Sequence, residues 1–239
     1  FRRSLKPRHR QREHRRRLTL SVAACVSLFA LSLASFPANS ATLIYDAFLS
    51  GVPVGTAHVE ITLTDREYRI AGTAQAGGAA HLFSTWQSDF HAAGRINAGL
   101  PELHSYAYDE RQKNRQRVLQ LQDDTVQQVK NNQVRTTLPA LSGTDVLTAF
   151  FVDPGCWPDR LLHTGRFNYQ VRGRPSKQPD GCLFRITDDD GDDVRVHVRF
   201  GTRHRLRVPI AMSTRGPLRG SIRLRAESPA FVLARTADR

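Results

Sequence analysis

The chain has 239 residues, 40% hydrophobic and 24% charged, with a formal net charge of +13. That length fits one domain or at most two small ones. The charge invites a nucleic-acid reading, but residues 1–40 hold nine Lys/Arg against one acid, Glu13, a net +8 that leaves +5 for the rest. Residues 41–239 are only mildly basic, and no nucleic-acid partner is expected for them.

After Arg17, residues 18–36 carry no charge, and Pro37-Ala38-Asn39-Ser40 then places small residues at Ala38 and Ser40. A basic flank, an apolar run and a small-x-small site make a secretory signal peptide. Cleavage is expected after Ser40 or Ala41. Uncut, the 19-residue run is long enough to span a bilayer, and positive charge would still stay inside. The expected location is therefore the periplasm, with a membrane anchor if the signal is retained. Val22-Ala23-Ala24-Cys25 resembles a lipobox, although the apolar run continues well past Cys25. Arg15-Arg16 before Leu18 resembles a twin-arginine signal, and equally an ordinary basic flank.

Two cysteines lie beyond the signal, Cys156 and Cys182. In an oxidising compartment they are read as one disulfide, the alternative being two separate buried thiols. No CxxC or histidine pair accompanies them, which argues against zinc or redox chemistry.

Beyond residue 41 the apolar pattern has a period near two. Residues 42–49 end at Ser50-Gly51, residues 58–63 alternate cleanly, and Asp65-Arg66 turns them into residues 67–71. Such alternation between turn residues marks half-buried antiparallel strands. A helical turn is expected at His81-Leu82-Phe83, and strand again from Thr85 to Ala92. Residues 102–122 have helical composition, but Tyr106 and Tyr108 share parity, as do Leu119 and Leu121, which favours long strands. Asp123-Asp124 and Asn131-Asn132 read as hairpin turns.

One helix is expected, at about 144–152. Ser142 and Asp145 have the spacing of a capping box before the apolar run 146–151, and Asp153-Pro154-Gly155 stops it. Residues 183–187 and 194–200 then flank an Asp-Gly turn, a hairpin signal because that pair accepts positive φ. A last hairpin is expected around Gly216-Pro217, followed by a tail from 227 to 239.

In this order the elements resemble an exported bacterial family catalogued as domain of unknown function 3108. The matching residues are 45–55 (YDAFLSGVPVG), the Gly-rich stretch before His81-Leu82-Phe83, and Asp89-Phe90-His91 leading to a glycine turn at Gly94. Leu100-Pro101, residues 143–149, Leu206-Arg207-Val208-Pro209 and residues 220–224 complete the pattern, which covers about 42–226. The resemblance implies a single mainly β domain, a strongly curved antiparallel sheet or open barrel around one helix. It supplies no activity. The two cysteines and the acidic run 188–193 lie outside the shared pattern.

Three features of the sequence bear on chemistry. Asp188, Asp190 and Asp192 alternate as calcium ligands do, but the loop lacks the required glycine position and a later bidentate Glu, so a solvated hairpin tip is the simpler reading. Residues 199–239 hold ten Arg against two acids. There Arg203, Arg205 and Arg207 alternate with His204, Leu206 and Val208, and Arg223 and Arg225 with Ile222 and Leu224. A guanidinium-lined face of this kind binds phosphate or carboxylate polymers, or is simply a solvated face paired with the 188–193 acids. Enzyme motifs are wanting: no G-x-S-x-G, H-E-x-x-H or P-loop occurs, and the seven histidines after residue 40 form no ligand-like pair.

The expectation is a non-catalytic, monomeric envelope protein without cofactor or metal. Its concave face holds an acyl or lipid-like ligand or a partner, with Phe150 and Phe151 lining the cavity. The alternatives are polyanion binding through the arginine face and a cell-wall-modifying enzyme.

Overall fold

The computed structural model describes residues 38–82, 84–113, 115–122, 125–130, 133–135, 143–165, 167–215 and 219–226. They form one 15-stranded sheet. Its first half comprises β1 (Asn39–Leu49), β2 (Val52–Leu63), β3 (Glu67–Ala76), β4 (Gln87–Asn97), β5 (Leu100–Gln112), β6 (Arg115–Gln122), β7 (Thr125–Lys130) and β8 (Gln133–Arg135). A two-residue strand β9 (Thr144–Asp145) leads into α1 (Val146–Phe151). The second half is β10 (Arg160–His163), β11 (Asn168–Pro175), β12 (Gly181–Asp188), β13 (Asp193–Arg203), β14 (Leu206–Arg215) and β15 (Gly220–Leu224).

Each half is a meander in which sequence neighbours are sheet neighbours, and the halves join where β1 pairs with β15, Tyr45 opposite Leu224. Every pairing is antiparallel except the short parallel one between β9 and β10. Residues 102–112 and 115–122 are strand, as parity favoured over composition, with Tyr106 opposite Leu121 and Tyr108 opposite Leu119. The proposed turns at 123–124, 131–132 and 216–218 and the tail 227–239 lie outside the described residues, although the strands flanking each turn pair antiparallel.

The sheet is curved and unclosed. Nine strands separate β5 from β10 in sheet order, yet the Tyr106 hydroxyl donates to the Thr164 carbonyl just after β10 at 3.0 Å. The Tyr106 ring also meets His163 edge-on, centroids 5.9 Å apart. A flat sheet would hold these strands tens of ångströms apart at about 4.8 Å per strand. Gly165 permits the approach: at φ +77° it adopts a conformation that side chains disfavour, and a Cβ there would stand 2.6 Å from Leu119 Cδ2. The terminal strands β8 and β9 remain unpaired to one another, so the sheet is open rather than a barrel.

The helix fills the concavity. Phe151 joins the core of β1–β3 and β14 with Tyr45, Ile61 and Ile70. Ala149 joins that of β10–β13 with Leu162, Phe184 and Val198, while Leu147 packs on Ala92, Tyr106 and Leu119 of β4–β6. No helix among the described residues is long and apolar enough to cross a membrane.

Two local expectations are corrected. The helix is shorter than 144–152, and its cap is Asp145 itself, whose carboxylate accepts from the Thr148 amide at 2.9 Å. Gly94 is not a turn but lies within β4 at a bulge. A Cβ there would sit 2.0 Å from the Glu102 carbonyl oxygen and 2.6 Å from the Tyr68 hydroxyl; the turn follows at Ala98-Gly99, both at positive φ. Strand β1 begins at Asn39, with Ser40 opposite Thr62 and Ala41 buried.

Candidate functional site

Strand parity places every second side chain of β4, β5 and β6 on the concave face, and register stacks them into three rows. Ala92, Tyr106 and Leu121 form one row; Phe90, Tyr108 and Leu119 the next; Ser88, Glu110 and Arg117 the third. Chemistry therefore changes along the strands, from apolar to aromatic to charged.

A cleft of about 330 Å³ opens over these rows, walled on its other side by Val146 and Leu147 of α1 and by Thr164 and Phe167. Leu119 is buried, whereas Phe167 is 43% exposed at the rim. At the charged end Arg117 Nη1 pairs with Glu110 Oε2 at 3.3 Å, and Trp86 Nε1 donates to Glu110 Oε1 at 3.1 Å. Both carboxylate oxygens are thus engaged, while the buried Arg117 Nε–H has no partner among the described residues. A buried donor left unpaired is costly unless something else accepts from it.

Beneath the cleft lies a buried polar group. Thr148 donates to the Tyr68 hydroxyl at 3.1 Å, Asp145 is fully buried, and His163 lies opposite it in the β9–β10 pair. Burial pushes the Tyr68 phenol up to about 12 and raises Tyr106 further. Burial likewise lowers His163 to about 4, so the imidazole is neutral at pH 7. Its Nδ1 accepts from the Gly165 amide at 3.3 Å, fixing its place in the wall.

The residues singled out in the sequence fall differently. Cys156 and Cys182 form the disulfide, with Cα atoms 5.3 Å apart, tying the loop after α1 to β12. Phe151 is buried against Tyr45, ring centroids 6.2 Å apart. Phe150 packs between Trp157 and Phe184 at 5.4 and 6.0 Å. Neither lines the cleft; Val146 and Leu147 of the same helix do. A six-residue helix inside a curved sheet meets walls on several sides, and the apolar run did not distinguish the open side from the packed ones.

The five arginines of the expected face fall at different places. Arg203 ends β13 and Arg205 occupies the β13–β14 turn at φ +67°. Arg207 pairs with Asp180 at 3.3 Å and covers the Phe200 ring at 5.4 Å. Arg225 is bidentate to Asp46, while Arg223 lies over Phe48 at 5.5 Å. Asp188 ends β12, and its Oδ1 accepts from the Asp190 and Asp192 amides of the turn at 3.1 and 2.8 Å.

The signal for the cleft was present in the sequence as the shared parity of Tyr106 and Tyr108. What parity alone lacked was the partner wall, which arrives from residues 146–167. Comparison with family models, curated proteins and solved structures finds no match for this chain.

Proposed function

We propose that the protein is an exported, non-catalytic envelope component that holds a small amphipathic ligand in the cleft between β4–β6 and α1. The observation that carries this reading is the cleft's gradient, apolar at Tyr106 and Leu119 and charged at Glu110 and Arg117. Its volume lies at the lower end of the range for small-molecule sites, which are largely apolar with a few placed polar groups. An acyl or similarly greasy body suits the first two rows, and a head group with an acceptor oxygen suits the unpaired Arg117 Nε–H. Export is supported by the uncharged run 18–36 behind nine basic residues and by a disulfide, which persists in oxidising compartments. Membership of the family catalogued as domain of unknown function 3108 is part of the same proposal, supported by the curved open sheet around one helix at residues 146–151.

Native mass spectrometry of protein purified from the export compartment tests the reading, combined with displacement of a fluorescent fatty acid. A bound adduct, and probe binding weakened about tenfold or more by Phe167→Ala or Arg117→Gln, is the expected result. Repeated preparations with a clean apo mass and no saturable probe binding would overturn it.

A further inference from the structure

On the opposite, outward face of the second half, strand register assembles a cationic grid of which local sequence alternation revealed only Arg223. Arg172, Arg185 and Arg195 occupy directly opposed positions on β11, β12 and β13. Two residues further along come Arg174, Leu183 and His197, and then Gly181, Arg199, Ala211 and Arg223. Neighbouring groups are about 5 Å apart across strands and about 7 Å along them.

The six arginines just named have one carboxylate of β11–β15 on their face, Asp193, which is held by Arg185 Nε at 2.8 Å. Asp46, beside Arg223, is already taken by Arg225. Arg172 has only a long contact to Asp159 at 4.0 Å. Arg174, Arg195 and Arg199 have no carboxylate within ion-pair distance among the described residues. Like charges directly opposed across strands destabilise a sheet. Folding alone therefore gives no reason for this row, whereas an anion laid across it does.

Two depressions, of about 370 and 410 Å³, run side by side over the grid and share His197. The second is also lined by Gln178, Ser213 and Ser221, short polar groups suited to hydroxyls. We propose that this face binds an acidic polysaccharide, its sulfate, phosphate or carboxylate groups on the arginines and its sugar hydroxyls on Ser213, Ser221 and Gln178. Among the described residues the grid's apolar side chains, Leu183, Ala211 and the Phe48 ring beneath Arg223, are all half-buried, so none stands free to stack on a base or insert into a bilayer. The site is separate from the cleft and stands or falls without it.

The test uses the full chain and a size-defined heparin decasaccharide at 150 mM salt. The grid variant Arg174→Gln/Arg195→Gln/Arg199→Gln is compared with the control Arg203→Gln/Arg205→Gln, which removes charge at a hairpin turn away from the grid. The grid variant is expected to weaken binding at least tenfold and to reduce the salt dependence, the control less than twofold. Phenylglyoxal footprinting of the unmodified protein needs no variant, and the decasaccharide should protect Arg174, Arg195 and Arg199. Equal losses in both variants, no protection of those three arginines, or tighter binding to oligo-dT or phosphatidylglycerol vesicles than to the decasaccharide would each overturn the assignment.

Discussion

His163 and Asp145 are both buried beside the helix cap, and burial moves their titrations in opposite senses. His163 is 3% exposed and titrates near 4 instead of 6.5. An unfolded chain therefore takes up a proton near pH 6.5 that the folded protein refuses until about pH 4. Stability is lost across that window and becomes flat below it, by about 3 kcal/mol at about 1.4 kcal/mol per pH unit. Asp145 is raised by burial, so its carboxylate opposes folding at neutral pH and this penalty lifts as pH falls. Urea unfolding of the parent and of His163→Gln from pH 7 to 4 separates the two. The variant should start lower, having lost the Gly165 contact, but fall less steeply; parallel curves would refute the assignment. At neutral pH, Asp145→Ala should cost about 1–2 kcal/mol, the usual loss of a cap. Asp145→Asn should cost less, because an amide oxygen still accepts from Thr148 without burying a charge.

At the scale of elements, α1 owes its existence to packing, since six residues are far too few to hold a helix in water. It is gripped on three sides through Leu147, Ala149 and Phe151. Phe151→Ala should cost about 3–5 kcal/mol by leaving a void against Tyr45 and Ile61, measurable as a shift in the urea midpoint. Leu147→Ala should cost less, because that side chain already borders the cleft, and should also weaken probe binding there. The disulfide joins residues 26 apart, and its reduction should lower stability by about 3 kcal/mol in the chain-entropy picture. A stability unchanged by reductant would show that the unfolded chain is already constrained near Cys156 and Cys182. These elements were legible because period-two alternation is a local property, visible in 58–63 and 194–200 alike. Gly94 misled for a local reason too: a glycine demanded by the Tyr68 hydroxyl looks in sequence like one demanded by a turn. The arginine grid was legible only at Arg223, because the rest depends on which of five strands lie side by side and in what register.

For the whole molecule, the open sheet distributes stability unevenly. Ile61, Ile70, Val198 and Val208 have essentially no exposure, and they belong to strands paired on both sides, β2, β3, β13 and β14. At one end β8 has three residues and a single partner, and β7 is braced only between β6 and that short edge. Amides there can open without breaking into the cores around α1, so their exchange is governed by local fraying, whereas β2, β3 and β13 must await global unfolding. Hydrogen exchange followed by mass spectrometry should find peptides from β7–β8 exchanging faster than those from β2–β3 by more than about a hundredfold. The helix sets the size of the slow unit, because Phe151 and Ala149 tie the β1–β3 core to the β10–β13 core. Phe151→Ala should therefore accelerate exchange in both cores together. Acceleration confined to β1–β3 would mean that the two halves of the sheet unfold separately and that α1 does not couple them.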